Sequence, residues 1–116
     1  MKHLKRKFIG ETTTYIIAKY GHEIVGFAGI KQILDEADVM NIVTKKTYRK
    51  MGIGTLLLHN LINIAKEKNM KTITLEVNEN NIPAINLYKK FNFEQVGLRK
   101  KYYNNADAAI LMTLCL

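Results

Sequence analysis

The segment Arg49-Lys50-Met51-Gly52-Ile53-Gly54-Thr55 constrains the fold of this chain more than any other, because it lies between a strand-like run and a long amphipathic helix. Its two glycines let the backbone approach a ligand closely. The helix that begins there supplies N–H groups without helical partners and the positive end of its dipole. With Arg49 and Lys50 alongside, the segment predicts an anion site that suits a phosphate or pyrophosphate.

The spacing of the glycines distinguishes this segment from two common phosphate-binding motifs. A P-loop requires a lysine directly after its second glycine, and Gly54 is followed by Thr55. A dinucleotide fingerprint requires a third glycine where this chain has Leu57, and a strand that runs directly into the first glycine. Glu76 lies where that fingerprint has its acidic residue, but the other requirements fail.

Composition indicates one soluble domain over residues 1–116. No apolar run is long enough to span a membrane, the single Cys115 excludes an internal disulfide, and the three histidines lack metal-ligand spacing. We therefore expect a cytoplasmic protein without a metal or membrane contact. The net charge of +8 favours an anionic partner. Because the basic residues lack regularly interleaved aromatic residues, we do not expect direct nucleic-acid binding.

Hydrophobic periodicity predicts a mixed α/β fold. Residues 2–9, with Leu4 and Phe8 four apart, are interpreted as the last turns of a helix. The predicted strands are Thr14–Tyr20, Glu23–Leu34, Asp38–Thr44, Lys71–Asn78, Phe93–Tyr102 and Ala108–Leu116. One helix runs from the glycines to Lys68-Asn69, and Asn80-Asn81 caps a shorter one. The strand, helix and strand around the glycines form a βαβ unit, so its two strands should be parallel.

These motifs, in this order and spacing, resemble the GNAT acetyltransferases from Thr14 to Leu116. The second half is most similar to the RimI type, which acetylates the N-terminal amine of a ribosomal protein. The matching segments are Asn41–Thr44, Arg49–Gly54, Leu75-Glu76-Val77, Asn81, Ala84–Tyr88, Phe91-Asn92-Phe93, Val96-Gly97 and Tyr102-Tyr103.

The resemblance implies a GNAT fold, with a mixed and mostly antiparallel sheet around the parallel βαβ unit, and acetyl-coenzyme A as co-substrate. It implies that Glu76 is the general base, that Tyr88 is the general acid, and that Tyr102 and Tyr103 lie over the acceptor. The residues that it places at the cofactor are Ile42, Val43 and Thr44 along the pantetheine arm, Arg49, Lys50, Met51, Gly52, Ile53, Gly54 and Thr55 at the pyrophosphate, and Asn81 near the arm.

General chemistry is consistent with the two catalytic roles. An α-amine must lose a proton before it attacks a thioester, and a carboxylate on the polar face of a strand could accept that proton. A nearby O–H donor would assist the departing thiolate, and an N–H donor near Val43 would stabilise the oxyanion. Taken singly, Glu76 could equally be a solvated residue and Tyr88 a core aromatic.

The start of the chain differs from the family pattern, which begins with a further strand and two helices. We therefore expect an N-terminally shortened GNAT domain in which apolar surface becomes an interface, and hence a homodimer. Four functions stay open. The first is acetylation of a protein or peptide N-terminus, such as that of a ribosomal protein, and the second is acetylation of a small amine. The others are coenzyme A binding without activity and a basic module for nucleic acid or the ribosome.

Overall fold

The fold is taken from a computed structural model, which describes the backbone of residues 2–9 and residues 12–100 and 107–116 in full. The described residues form one seven-stranded sheet in the order β1-β2-β3-β4-β5-β7-β6, with two α-helices. The strands are β1 Lys2–Ile9, β2 Thr13–Tyr20, β3 Glu23–Ile33, β4 Glu36–Thr44, β5 Thr72–Asn78, β6 Glu94–Arg99 and β7 Ala109–Cys115. The helices are α1 Ile53–Glu67 and α2 Ile82–Lys90, and a 3₁₀ turn occupies Lys46–Tyr48.

The helix predicted for residues 2–9 is wrong, because this segment is strand β1. Its backbone pairs antiparallel with β2 along its whole length, from Lys2 opposite Tyr20 to Ile9 opposite Thr13. The spacing of four between Leu4 and Phe8 fits a period of two as well as a period of 3.6. Pairing with the backbone of β2 therefore decides between two structures that the local pattern leaves open.

The mixed, mostly antiparallel sheet is confirmed, and so is the parallel βαβ unit of β4, α1 and β5. Helix α1 packs on one face of the sheet, here called the helix face. The predicted stripe of Ile53, Leu57, Leu61 and Ile64 is fully buried there. Burial of such a stripe is what holds an amphipathic helix on a sheet. None of the helices in the described residues is long and apolar enough to cross a membrane.

The opposite face of the sheet, here called the outer face, carries Lys31, Asp38, Thr74, Glu76 and Leu111. Cross-strand register places them together, because Lys31 pairs with Asp38, Asp38 with Thr74, and Glu76 with Leu111. Residues opposite one another on neighbouring strands point to the same face. The bond between Thr74 Oγ1 and Thr113 Oγ1, 3.0 Å long, joins two side chains of this face.

Strands β4 and β5 pair over only three residues and then separate. Their ladder runs from Glu36 opposite Thr72 to Asp38 opposite Thr74 and ends there. Beyond that point β4 continues along β3 to Thr44, while β5 continues along β7 to Asn78. An irregularity in the β3–β4 register lies where the two strands part, since Ile30 pairs with Val39 but Gly29 pairs with Asn41. The gap between residues 41–44 and 76–78 is here called the wedge.

Candidate active site

The glycine segment forms a tight turn that leads into α1. Lys50 and Gly52 both have a positive φ, of 64° and 80°, and Gly52 is the N-cap of the helix. No side chain caps this helix end, and its first turn contains no acidic residue. The first bond within the helix runs from the Leu56 N–H to the Gly52 carbonyl at 3.0 Å. The preceding N–H groups of the first turn are therefore directed out of the helix end toward a ligand.

A cleft of about 420 Å³ separates the start of α1 from α2. Seven of the eleven residues predicted to contact the cofactor line it: Thr44, Arg49, Lys50, Gly52, Ile53, Gly54 and Thr55. Met51, Ile42, Val43 and Asn81 are not among its lining residues. Cations together with outward-directed N–H groups make this cleft electrostatically suited to an anion.

Sequence reasoning missed the second wall of the cleft. Opposite the glycine turn, the cleft is lined by residues of α2 that include Pro83, Asn86, Leu87 and Lys90. Their spacing of three, four and seven residues marks one face of a helix. That spacing was visible in the sequence, but only the packing of α2 beside α1 shows which of its faces the glycine turn meets.

Two of the other predicted cofactor residues, Ile42 and Val43, lie on the β4 side of the wedge. Val43 is exposed, and Ile42 and Thr44 are half-buried. One edge of the β4 backbone pairs with β3, so the other edge faces the wedge beyond Asp38. Asn81 is the N-cap of α2 and accepts a hydrogen bond through Oδ1 from the Ala84 N–H at 3.3 Å. The predicted cap is confirmed, and contact with the cofactor stays a prediction.

Glu76 lies on the outer face at the edge of the wedge. Its Oε1 forms an ion pair with Arg99 Nη2 of β6 at 3.0 Å. Asp38 of β4 lies on the same face, one step before the strands separate. Partial burial raises the pKa of Asp38 and the Glu76 carboxylate raises it further, while Lys31 acts in the opposite direction. The effect of Glu76 on Asp38 shows that the two carboxylates lie within electrostatic reach of each other.

Tyr88 is buried in α2, with 9% of its surface exposed. Its ring packs on Phe93 with the centroids 5.9 Å apart. This environment is that of a core aromatic, which was the alternative interpretation, and a buried tyrosine can still direct its hydroxyl to a polar neighbour. Tyr102 and Tyr103, predicted to lie over the acceptor, fall outside the described residues.

The glycine turn that leads into α1, residues 49–55, is here called the cradle. A polar cluster that the sequence did not predict holds the 3₁₀ turn in front of it. Glu23 of β3 accepts a hydrogen bond from the Tyr48 hydroxyl at 2.8 Å and also pairs with Lys45 Nζ. These bonds lower the pKa of Glu23 and raise the pKa of Lys45 and of Tyr48. They fix the 3₁₀ turn to the β2–β3 hairpin and so set the position of Arg49, which directly follows that turn.

The sequence also matches a family model. Residues 2–93 fit the model described as the Acetyltransferase (GNAT) family. The chain belongs to the GNAT acetyltransferase family. This membership agrees with the glycine turn, the βαβ unit and the wedge described above.

Three GNAT relatives illustrate the match. The [ribosomal protein bS18]-alanine N-acetyltransferase of Haemophilus influenzae is 46% identical over 71% of this chain and 56% of its own length. The crystal structure of the ribosomal-protein-S18-alanine N-acetyltransferase of Escherichia coli superposes with a TM-score of 0.87 at 31% identity, over 92% of this chain and 71% of that one. A Bacillus anthracis structure with acetyl-coenzyme A bound, provisionally named a streptothricin acetyltransferase, has a TM-score of 0.82 at 31% identity, over 91% and 64%.

The chain spans less than two thirds of the length of the curated relatives that it matches, namely 64%, 62% and 56% in three cases. Its substrate and partner are therefore matters of proposal.

Proposed function

We propose that this GNAT protein transfers the acetyl group of acetyl-coenzyme A to the N-terminal α-amine of a protein or peptide, with a ribosomal protein as the leading acceptor. The observation that carries the proposal is the wedge between β4 and β5, which opens beside an anion-binding helix end. A phosphate held at α1 would leave its attached arm directed along the free edge of β4. Glu76 stands at the outer side of the same gap.

The residues present fit the proposed co-substrate. No side chain caps the start of α1, and its first turn contains no acidic residue. The cleft is also lined by the cations Arg49, Lys50 and Lys90. These features favour a pyrophosphate in the cleft. The backbone of Ile42, Val43 and Thr44 has an edge facing the wedge that can pair with an amide-containing arm, as an added strand would. Acetyl-coenzyme A supplies an acetyl thioester, which is the activated group that the reaction requires.

Glu76 is proposed to remove the proton from the acceptor amine, directly or through a water. Its carboxylate is on the outer face and is partly exposed, so an acceptor can reach it. Tyr88 is proposed to donate a proton to the leaving sulfur from the helix face. Because the sheet is split at this level, groups from its two faces can meet at one reacting bond.

The α-amine suits this arrangement better than a lysine does. A chain terminus has a pKa of about 7.7–8.0 and is partly neutral at cytoplasmic pH, whereas lysine at about 10.4 requires roughly 3 kcal/mol more to lose its proton. The small-amine function is the second candidate. It is favoured by the likeness to the Bacillus anthracis structure, whose name refers to streptothricin as the acceptor.

The test pairs binding with turnover. Lys90→Gln removes a cation that lines the cleft, and Lys89→Gln removes the adjacent cation that does not. Calorimetry should show that acetyl-coenzyme A binds Lys90→Gln about two- to fivefold more weakly than wild type, as expected for one exposed charge. Lys89→Gln should bind like wild type. Equal losses in both variants would contradict the placement of the anion site.

Turnover distinguishes the acceptors. Wild-type protein is offered equal concentrations of an Ala- or Ser-starting peptide, its N-terminally blocked lysine-containing twin, and spermidine. The unblocked peptide should be acetylated fastest. Faster turnover of the blocked peptide or of spermidine would refute the proposed acceptor, and binding of acetyl-coenzyme A with no turnover would favour the function of binding alone.

We further propose that the protein acts in the cytoplasm and as a homodimer. The single cysteine, Cys115, is typical of a reducing compartment. Support for the dimer comes from β6, an edge strand of the sheet that exposes Val96 and Leu98 by 64% and 48%. Exposed apolar side chains at a sheet edge favour contact with another chain.

A further inference from the structure

Glu76 lies between charges of opposite sign that come from two different strands. On the β6 side, Arg99 reaches across β7 to place Nη2 at 3.0 Å from Glu76 Oε1. On the β4 side, Asp38 pairs with Thr74, two residues before Glu76 on β5. Since Asp38, Thr74 and Glu76 share the outer face, Glu76 lies diagonally from Asp38 on the neighbouring strand, just beyond the end of their ladder.

Four other charged groups of the described residues lie on or beside this part of the outer face. Glu94 of β6 pairs with Thr113, which is opposite Thr74. Lys31 of β3 pairs with Asp38 and lies on its far side. Glu36 pairs with Thr72, at the closed end of the β4–β5 ladder. Asp107 Oδ2 accepts a hydrogen bond from Asn78 Nδ2 at 3.1 Å. Among the described residues, Arg99 forms an ion pair with Glu76, and Asp38 is a carboxylate on which Glu76 acts electrostatically.

We propose that Arg99 is a positioning residue for Glu76, whose carboxylate it pairs with and directs across the outer face, and that Asp38 acts on the same carboxylate with the opposite sign. This inference rests on the proposed function, in which Glu76 accepts a proton. An exposed glutamate samples several rotamers, and an ion pair restricts that sampling. A neighbouring cation favours the ionised carboxylate and a neighbouring anion disfavours it, so the two residues act in opposite directions.

The effect of Glu76 on Asp38 supports this arrangement, because the Glu76 carboxylate, after partial burial, raises the pKa of Asp38. A base for an amine must be ionised in the cell yet still take up a proton during the reaction. A neighbouring cation such as Arg99 favours the ionised form, and a neighbouring anion such as Asp38 opposes that effect.

The direct test does not depend on catalysis. The side-chain carboxyl of Glu76 is titrated by carbon-detected NMR in the protein without acetyl-coenzyme A. In Arg99→Gln the titration midpoint should move to higher pH by about one unit, and in Asp38→Asn it should move to lower pH. Lys100→Gln, which removes a cation next to Arg99 in sequence, is the matched control and should leave the midpoint in place. Midpoints that do not move in Arg99→Gln and Asp38→Asn would overturn the inference.

The second test uses the pH dependence of kcat/KM with the N-terminal peptide. The acid limb should shift upward in Arg99→Gln and downward in Asp38→Asn, and Arg99→Lys should restore most of the wild-type profile. A merely structural role would lower activity at every pH without moving the limb, and that result would overturn the inference. If the midpoints move as expected but wild type acetylates no peptide, the charge arrangement stands and the proposed function fails.

Discussion

At the residue scale, the two proposed catalytic groups occupy different environments although the same resemblance named both. Glu76 is on the outer face with an arginine partner, while Tyr88 is nearly buried against Phe93. The glutamate therefore contributes little to the packed core, and its substitution should affect chemistry alone. The tyrosine contributes a ring to the core and a hydroxyl to the proposed chemistry, so the two contributions can be separated.

Tyr88→Phe separates them because it keeps the ring and removes only the hydroxyl. We expect the free energy of unfolding to fall by no more than about 1.5 kcal/mol, the net value of one hydrogen bond. We expect kcat to fall by about a hundredfold, the lower range for the loss of a general acid. Thermal unfolding and steady-state kinetics measure the two quantities. A variant that keeps the wild-type kcat would show that Tyr88 is a core aromatic only.

At the element scale, the anion cradle depends on how closely α1 approaches the sheet. Gly26 of β3 lies under the start of this helix, where a Cβ would come within 2.8 Å of the Val43 carbonyl oxygen and 2.9 Å of Ile53 Cγ2. The absence of a side chain at Gly26 therefore sets the height of the first turn of α1. On the outer face, Gly29 plays a similar part against the ring of Tyr15, at 2.5 Å from Cε1.

Gly26→Ala and Gly29→Ala form a matched pair on opposite faces of one strand. Each adds one methyl group against a close neighbour and should lower the free energy of unfolding by about 1–3 kcal/mol. Only Gly26→Ala displaces the first turn of α1, so it should weaken acetyl-coenzyme A binding several-fold more than Gly29→Ala does. Denaturant unfolding and calorimetry, both below the unfolding transition, measure these effects. Equal affinities in the two variants would show that the cradle does not depend on this contact.

At the scale of the whole molecule, charge and shape act on different partners. The excess of 18 lysines and arginines over 10 acidic residues favours the phosphates of the co-substrate. The carboxylates Asp38 and Glu76 are clustered on the outer face, where the acceptor amine is proposed to arrive. The molecule therefore offers a cationic cleft on one side of its sheet and a carboxylate pair on the other.

The proposed homodimer is tested at the β6 edge. Because the register of β6 shifts around Val96, continuous strand pairing is disfavoured there, and we expect contact through side chains. Sedimentation velocity at micromolar concentrations should show a dimer for wild type and a monomer for Val96→Lys. Ile24→Lys, at an exposed apolar residue of β3, should remain dimeric. A 13.3 kDa monomer for wild type across that concentration range would contradict the dimer.

Local patterns in the sequence were enough for several elements of this GNAT protein. The stripe from Ile53 to Ile64 predicted the buried face of α1, and the alternation of Ile73, Leu75 and Val77 predicted the buried face of β5. Asn81 predicted the start of α2. In each case the signal lies within one or two turns or one strand, so neighbouring residues carry all of the information.

Tertiary structure decided the rest, because the forces concerned act between residues far apart in the chain. Residues 2–9 became a strand through backbone pairing with β2, which outweighed an ambiguous local spacing. The wedge exists because β4 follows β3 and β5 follows β7 after three shared pairs. The ion pair between Arg99 and Glu76 and the approach of Lys90 to the glycine turn likewise depend on which strands and helices become neighbours. The sequence by itself determined which groups are present and which helix end is suited to an anion, and the folded sheet determined which of those groups meet.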